Sequence, residues 1–151
     1  MSITVNLKLG VLENVSIDFT KELMVAGDLI AQEMRGNVKR GLGVNDSALK
    51  ANNAGYAAAK RKRLGHAKPL IADFKTLVTP ANYQIKRIKV NHVRVGYVGM
   101  HPKAKMTIGQ LAYIHNQGLG NNPKREFAGI TRTAVKRVMA YLNDRVARLF
   151  K

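Results

Sequence analysis

The sequence contains no cysteine and no tryptophan, and its aromatics are limited to five tyrosines and four phenylalanines. Without thiols there is no disulfide framework, no thiolate metal site and no cysteine nucleophile, and stability must come from packing and association. Long hydrophobic runs are also missing, since nowhere do about 18 apolar residues follow one another as a membrane helix requires. Met1 to Leu9 lacks the basic start and apolar stretch of a signal peptide, so a soluble protein made in the cytoplasm is expected. Acids are the scarcest class that matters for chemistry: 9 Asp+Glu stand against 26 Lys+Arg, a formal charge of +17. After residue 46 only Asp73, Glu126 and Asp144 remain, which leaves little material for paired-carboxylate acid/base catalysis. The four histidines, His66, His92, His101 and His115, show neither the i, i+4 spacing nor the carboxylate neighbours of a metal site. No phosphate-cradling GxxxxGK[ST] loop occurs, and Gly41-Leu42-Gly43 follows a helical pattern, unlike a dinucleotide fingerprint, which follows a strand. A non-enzyme without metal or cofactor is the expectation. An orienting acid is out of sequence reach of His115, so that residue reads as a helix-end histidine bonded to backbone and not as a general base.

What is present is one core's worth of apolar residues, 46% of 151, enough for a single domain over 1–151. The positive charge is concentrated beyond residue 46, which carries 21 of the 26 bases. Such a field attracts polyanions, either nucleic acid or acidic protein faces.

Ile3, Val5, Leu7 and Leu9 alternate with polar residues as in a strand with one buried face, and residues 1–18 are a possible strand arm. The arm has two outlets, pairing inside its own domain or adding to a neighbour's sheet edge. From Asp18 to Arg40 the residues Phe19, Leu23, Ala26, Ile30, Met34 and Val38 fall three or four apart, predicting a helix ended by Gly41 and Gly43. Tyr56 to Arg63 reads as a short helix approached by a loop at Asn52, Asn53 and Gly55, and Pro69 to Val78 as a helix or turn stopped by Pro80. Tyr83 to Val90 and Val93 to Gly99 read as paired strands. Ile85 and Ile88 are out of phase, which a bulge near Arg87 repairs. His101 to Met106 is a basic loop. Ile108, Leu111, Ala112 and His115 share a helical face closed by Gly118 and Gly120. The last helix is capped by Thr131, with Val135, Val138, Leu142, Val146 and Leu149 as its stripe. The expected class is α+β, a small antiparallel sheet packed with a long helix from each end of the chain.

Lys60-Arg61-Lys62-Arg63 is a basic tetrad of the kind found in nucleic-acid patches. On a helix four consecutive side chains point all round, so one side lies on the domain and the other faces a partner. With Lys68 and with Lys103 and Lys105 of the second loop it forms the candidate interface. The few aromatics argue against base stacking, leaving nonspecific, salt-sensitive DNA contact as the nucleic-acid alternative.

Tyr113-Ile114-His115-Asn116-Gln117-Gly118, followed by Pro123-Lys124-Arg125-Glu126-Phe127-Ala128-Gly129-Ile130, resembles the signature of phage virion-morphogenesis and tail-completion proteins of the Mu type. Tyr56-Ala57-Ala58-Ala59-Lys60 with Pro69-Leu70-Ile71 resembles an upstream element of that family. The likeness extends over residues 19 to 150, with departures at Ala72-Asp73-Phe74 and in the missing tryptophan. It implies a structural virion protein at the head-tail junction (neck or tail), assembling as a homo-oligomeric ring and docking on connector and tail proteins. On physical grounds Gly118 and Gly120 let the chain turn out of a helix, Pro123 stiffens the return and Phe127 anchors it. His115 and Asn116 are expected to bond this turn. Arg125 is held to bond either carbonyls internally or a carboxylate on a neighbouring subunit.

Overall fold

The computed structural model describes residues 2–4, 18–72 and 75–149. Its elements run β1 (Ser2–Thr4), α1 (Thr20–Arg40), α2 (Ala54–Leu64), a single 3-10 turn (Pro80–Asn82), β2 (Tyr83–Lys89), β3 (His92–Tyr97), α3 (Ile108–Gln117) and α4 (Arg132–Leu149). The class is α+β, with antiparallel strands in the order β1-β3-β2.

The apolar spacing of α1 is realised in full, since Leu23, Ala26, Ile30, Met34 and Val38 are all buried. Asp18 Oδ1 accepts the Thr20 N–H at 2.8 Å at the helix start, and Gly41 in the left-handed region ends it. The hairpin tip ties down the same end. Asn91, at φ 54°, accepts the Phe19 N–H on Oδ1 at 2.7 Å and donates its own N–H to Thr20 Oγ1 at 3.3 Å. Midway, Gly27 lies so close to the sheet that a Cβ there would stand 2.8 Å from Ile85 and 3.2 Å from Val95. The helix therefore rests on β2 and β3 at a spot where only hydrogen fits.

The register of β2 on β3 shifts between Arg87 and Lys89, the bulge the phase of the isoleucines required. β1 pairs with β3 through Ser2↔Arg94, Ile3↔Val93 and Thr4↔His92, so this part of the arm takes the outlet within its own chain. Val5, Leu7 and Leu9 lie outside the described residues. Tyr83 donates its hydroxyl to the Leu77 carbonyl at 2.9 Å. At the 2.7 Å contact between the two phenols, Tyr97 is consequently the donor to Tyr83. Burial pushes the Tyr83 hydroxyl up to about 12 and Tyr97 higher still, so both stay protonated and bonded.

One expectation, the stripe of α4, needs correction. At residues 69–78, read as a helix or turn, the described positions take the turn. Leu70 and Lys75 take positive φ, 60° and 49°, which a helix excludes, yet Ile71, Leu77 and Val78 are buried all the same. On α4, Thr131 caps as expected, accepting the Ala134 N–H at 3.0 Å. Its buried line is Ala134, Val138 and Leu142, whereas Val135 and Leu149 are 48% and 57% exposed. Ala134 is small enough for α4 to lie close against α1, and that contact sets the helix's rotation.

Candidate functional site

The residues that carry the resemblance meet at the end of α3. This helix starts with a reciprocal capping box between Thr107 and Gln110 and buries Ile108 and Ala112, which aims its last turn at the loop that follows. Gly118, at φ 72°, ends it, with its N–H on the Ile114 carbonyl at 2.9 Å. A Cβ at Gly118 would lie 2.6 to 2.9 Å from backbone and side-chain atoms of Lys124, so the returning strand of the loop passes directly over it. That return is locked in place. The Arg125 N–H bonds the His115 carbonyl at 2.9 Å, and Asn116 Oδ1 accepts from the Phe127 and Ala128 amides at 3.0 and 2.9 Å. Phe127 is then only 1% exposed, its ring set edge-on to Tyr97 at 6.4 Å. Asn116 bonds the turn with its side chain, as expected. His115 does so with its carbonyl only, and the buried Nδ1 of its ring has no partner among the described residues.

Arg125 is the centre of the arrangement. It is 4% exposed, with Nε on the Lys50 carbonyl at 2.7 Å and Nη2 on the Ala51 carbonyl at 3.1 Å and on Asn52 Oδ1 at 3.0 Å. Of the two roles open to it, the internal one is realised, but with carbonyls of the segment before α2 and not with those of its own loop. Asn52 in turn donates to the Ala67 carbonyl at 2.9 Å. One guanidinium thus ties the motif loop to both ends of the α2 excursion, across more than 70 residues of sequence. Burial draws its proton affinity down, though a guanidinium stays charged.

Around it is a cavity of about 290 Å³. Lys60, His115, Pro123 and Arg125 of the residues singled out from sequence reach its wall, together with Asn52, Tyr56 and His101. Lys60 is a correction. It is 2% exposed and its ammonium donates to the Lys68 carbonyl at 2.6 Å, with the Tyr56 ring 5.6 Å away, so it belongs to the interior and not to a partner-facing patch. One of four consecutive helical positions had to face inward, and the long aliphatic stem of lysine tolerates that. Arg61, Lys62, Arg63 and Lys68 are exposed, as are Lys103 and Lys105. Tyr113, 60% exposed, lies apart from the cavity, in a shallow groove with Lys105 and Met106.

The sequence reading passed over the outer face of the sheet. Lys86 sits opposite Arg94 and both are exposed, a like-charge pair on the side away from α1. The signal was available in the alternation of β3, where Arg94 falls between Val93 and Val95. Among the described residues no group of three or more His, Cys, Asp or Glu is placed to hold a metal, and no helix is long and apolar enough to cross a membrane. No family model matches the chain, and neither a curated protein nor a solved structure shows significant similarity to it.

Proposed function

We propose that this chain is a structural protein of a tailed bacteriophage virion that acts at the head-tail junction, in tail completion or neck assembly. Copies associate as a ring and dock on connector and tail proteins, without catalysis. The observation that supports the reading is the clustering of the motif residues. His115, Asn116, Gly118, Pro123, Arg125 and Phe127 form a single turn cross-linked to the segment before α2, a use of polar residues that builds a rigid platform rather than a reacting centre. The exposed bases Arg61, Lys62 and Arg63 at the end of α2, Lys68 beyond it, and Lys103 and Lys105 are then the contact groups, where electrostatics sets encounter rate and register with acidic partners.

Electron microscopy of lysates from phage lacking only this gene tests the proposal. Filled heads beside separate tails are expected, and normal virions would contradict it. A second reading, a nonspecific nucleic-acid-binding or packaging protein, draws on the exposed Lys86 and Arg94 face and the charge of +17. It requires DNA affinity that persists near physiological salt, because several phosphates must be neutralised at once.

A further inference from the structure

Helix α2 adds almost nothing to the core. Of its residues, Ala54 to Leu64, only Lys60 is buried, Ala57 and Leu64 are half-buried and the rest are exposed. At 11 residues it is also shorter than the helices that hold alone in water, which need about 12 to 15. Polar contacts keep it in place instead. Asn53 caps its start, accepting the Tyr56 N–H at 2.8 Å, Gly65 ends it in the left-handed region, and Arg125 and Asn52 tie down its two approaches. A helix fastened this firmly without burying apolar surface is held for what its outer side presents.

That outer side is cationic. At about 100° per residue, an inward Lys60 puts Lys62 on the outside, with Arg61 and Arg63 on its flanks. The Lys60 ammonium bonds the Lys68 carbonyl at 2.6 Å, and the Lys68 ammonium reaches the Lys39 carbonyl at 3.4 Å. Exposed bases from the ends of α1 and α2 and from the loop after α2 therefore come together. Residues 47–72 contain six Lys+Arg and no acid. Asp46 and Asp73 flank the stretch, and pairing with both would still leave four bases in excess.

The chemistry of this face selects among anions. An acidic protein surface calls for apolar or aromatic anchors at the centre of the contact, and an anionic membrane for a face of Leu, Phe or Trp. Around Lys62 the outer side offers only Ala54, Gly55, Ala58 and Ala59. Single-stranded nucleic acid needs aromatic platforms, and Tyr56, the one aromatic of α2, has the Lys60 ammonium 5.6 Å from its ring. A duplex backbone asks for cations held at fixed places and for nothing apolar. We propose that the end of α2, through Arg61, Lys62 and Lys68 with Lys39 beside them, is a docking face for the phosphate backbone of double-stranded nucleic acid, without sequence readout. The inference rests on the nucleic-acid reading, for which it supplies a site other than the Lys86 and Arg94 face, and it is compatible with a place at the head-tail junction.

The experiment is fluorescence anisotropy of the full chain with two labelled DNA duplexes of unrelated sequence, titrated from about 0.05 to 0.2 M salt. Equal affinity for the two sequences is expected, with binding still measurable at about 0.15 M and a slope of log affinity against log salt of about −3 to −4, about 0.9 for each phosphate met. The triple variant Arg61→Gln, Lys62→Gln and Lys68→Gln should flatten that slope by about 2 to 3 and weaken binding at the lowest salt about tenfold or more. All three side chains are exposed and glutamine suits a helix, so it should melt as the native chain does. Lys62→Gln alone is the milder second variant, expected to flatten the slope by about 1. Lys86→Gln with Arg94→Gln should leave the slope unchanged. Equal losses from the α2 and sheet variants, or loss from the sheet variant alone, would overturn the inference and leave the nucleic-acid reading standing. No binding to either duplex at about 0.15 M salt would overturn both. Poly-glutamate that displaces the labelled duplex as well as an equal charge of unlabelled duplex does would overturn the inference by assigning the face to an acidic protein.

Discussion

Two buried charges in this molecule are handled in opposite ways. On the α1 and α4 side, Glu33 is 7% exposed and is met by Arg40 at 2.9 Å and Arg137 at 3.4 Å, both half in solvent, with Arg40 also bonded to Asn37. On the motif side, Arg125 is equally buried and is met by carbonyls and an amide. The first arrangement neutralises its ion within the chain and joins two helices. The second immobilises its ion, joins two loops and leaves the charge in place. The acid-poor composition accounts for the difference, since six of the nine acids lie before residue 47, and of the three after it Glu126 and Asp144 pair with the exposed Lys124 and Arg148. Where acids run out, backbone carbonyls take over, and they satisfy hydrogen bonds without cancelling charge.

The largest effect should come from Arg125→Ala, which leaves the Lys50 and Ala51 carbonyls without their donor and opens a hole in the loop junction. A loss of about 4 kcal/mol in denaturant unfolding is expected; a loss below about 1 kcal/mol would show that the junction holds without it. Gly118→Ala attacks the same junction through its backbone, combining a left-handed φ with a clash against Lys124. It should cost about 3 kcal/mol by the same measurement. Glu33→Ala probes the other side. Its two arginines regain water when the carboxylate goes, so calorimetry should show a smaller loss, about 1 to 2 kcal/mol.

The smallest effect is on pH dependence. The His115 pKa is lowered in the folded chain from its ordinary 6.5, so the unfolded chain binds the proton more readily and the folded state favours the neutral ring. The corresponding stability is complete above pH 6.5 and is lost as pH falls through the folded value. His115→Gln should flatten melting temperature against pH in that window while leaving the profile above it unchanged.

Much of the fold was legible because local and tertiary preferences agree. The α1 stripe, the β2 bulge and the Thr131 cap are each specified by residues next to one another in sequence, and each is present. Residues 69–78 were legible only as a helix or turn, because apolar spacing of three and four suits both, and no glycine or asparagine stands at the left-handed Leu70 and Lys75 to decide between them. The α4 stripe was right at Val138 and Leu142, but Ala134 and not Val135 belongs to the buried line, and Leu149 is exposed. At the site, the motif residues were identified but their partners were not. Lys50, Ala51 and Asn52 meet Arg125 through backbone carbonyls and an amide, and a backbone acceptor leaves no trace in sequence. Lys60 misled because a lysine in a basic run looks exposed until the helix is placed.

The contrast between the two charges is tested most directly by hydrogen exchange at arginine Nε–H groups in protein labelled at arginine. Arg125 Nε, bonded to the Lys50 carbonyl at 2.7 Å in a buried setting, is predicted to exchange slowly. Arg40 and Arg137, whose side chains are 54% and 43% exposed, are predicted to exchange fast. An Arg125 signal as labile as theirs would contradict the account, because the guanidinium would then be free of the 50–52 segment and the loop junction would have to be held by something else.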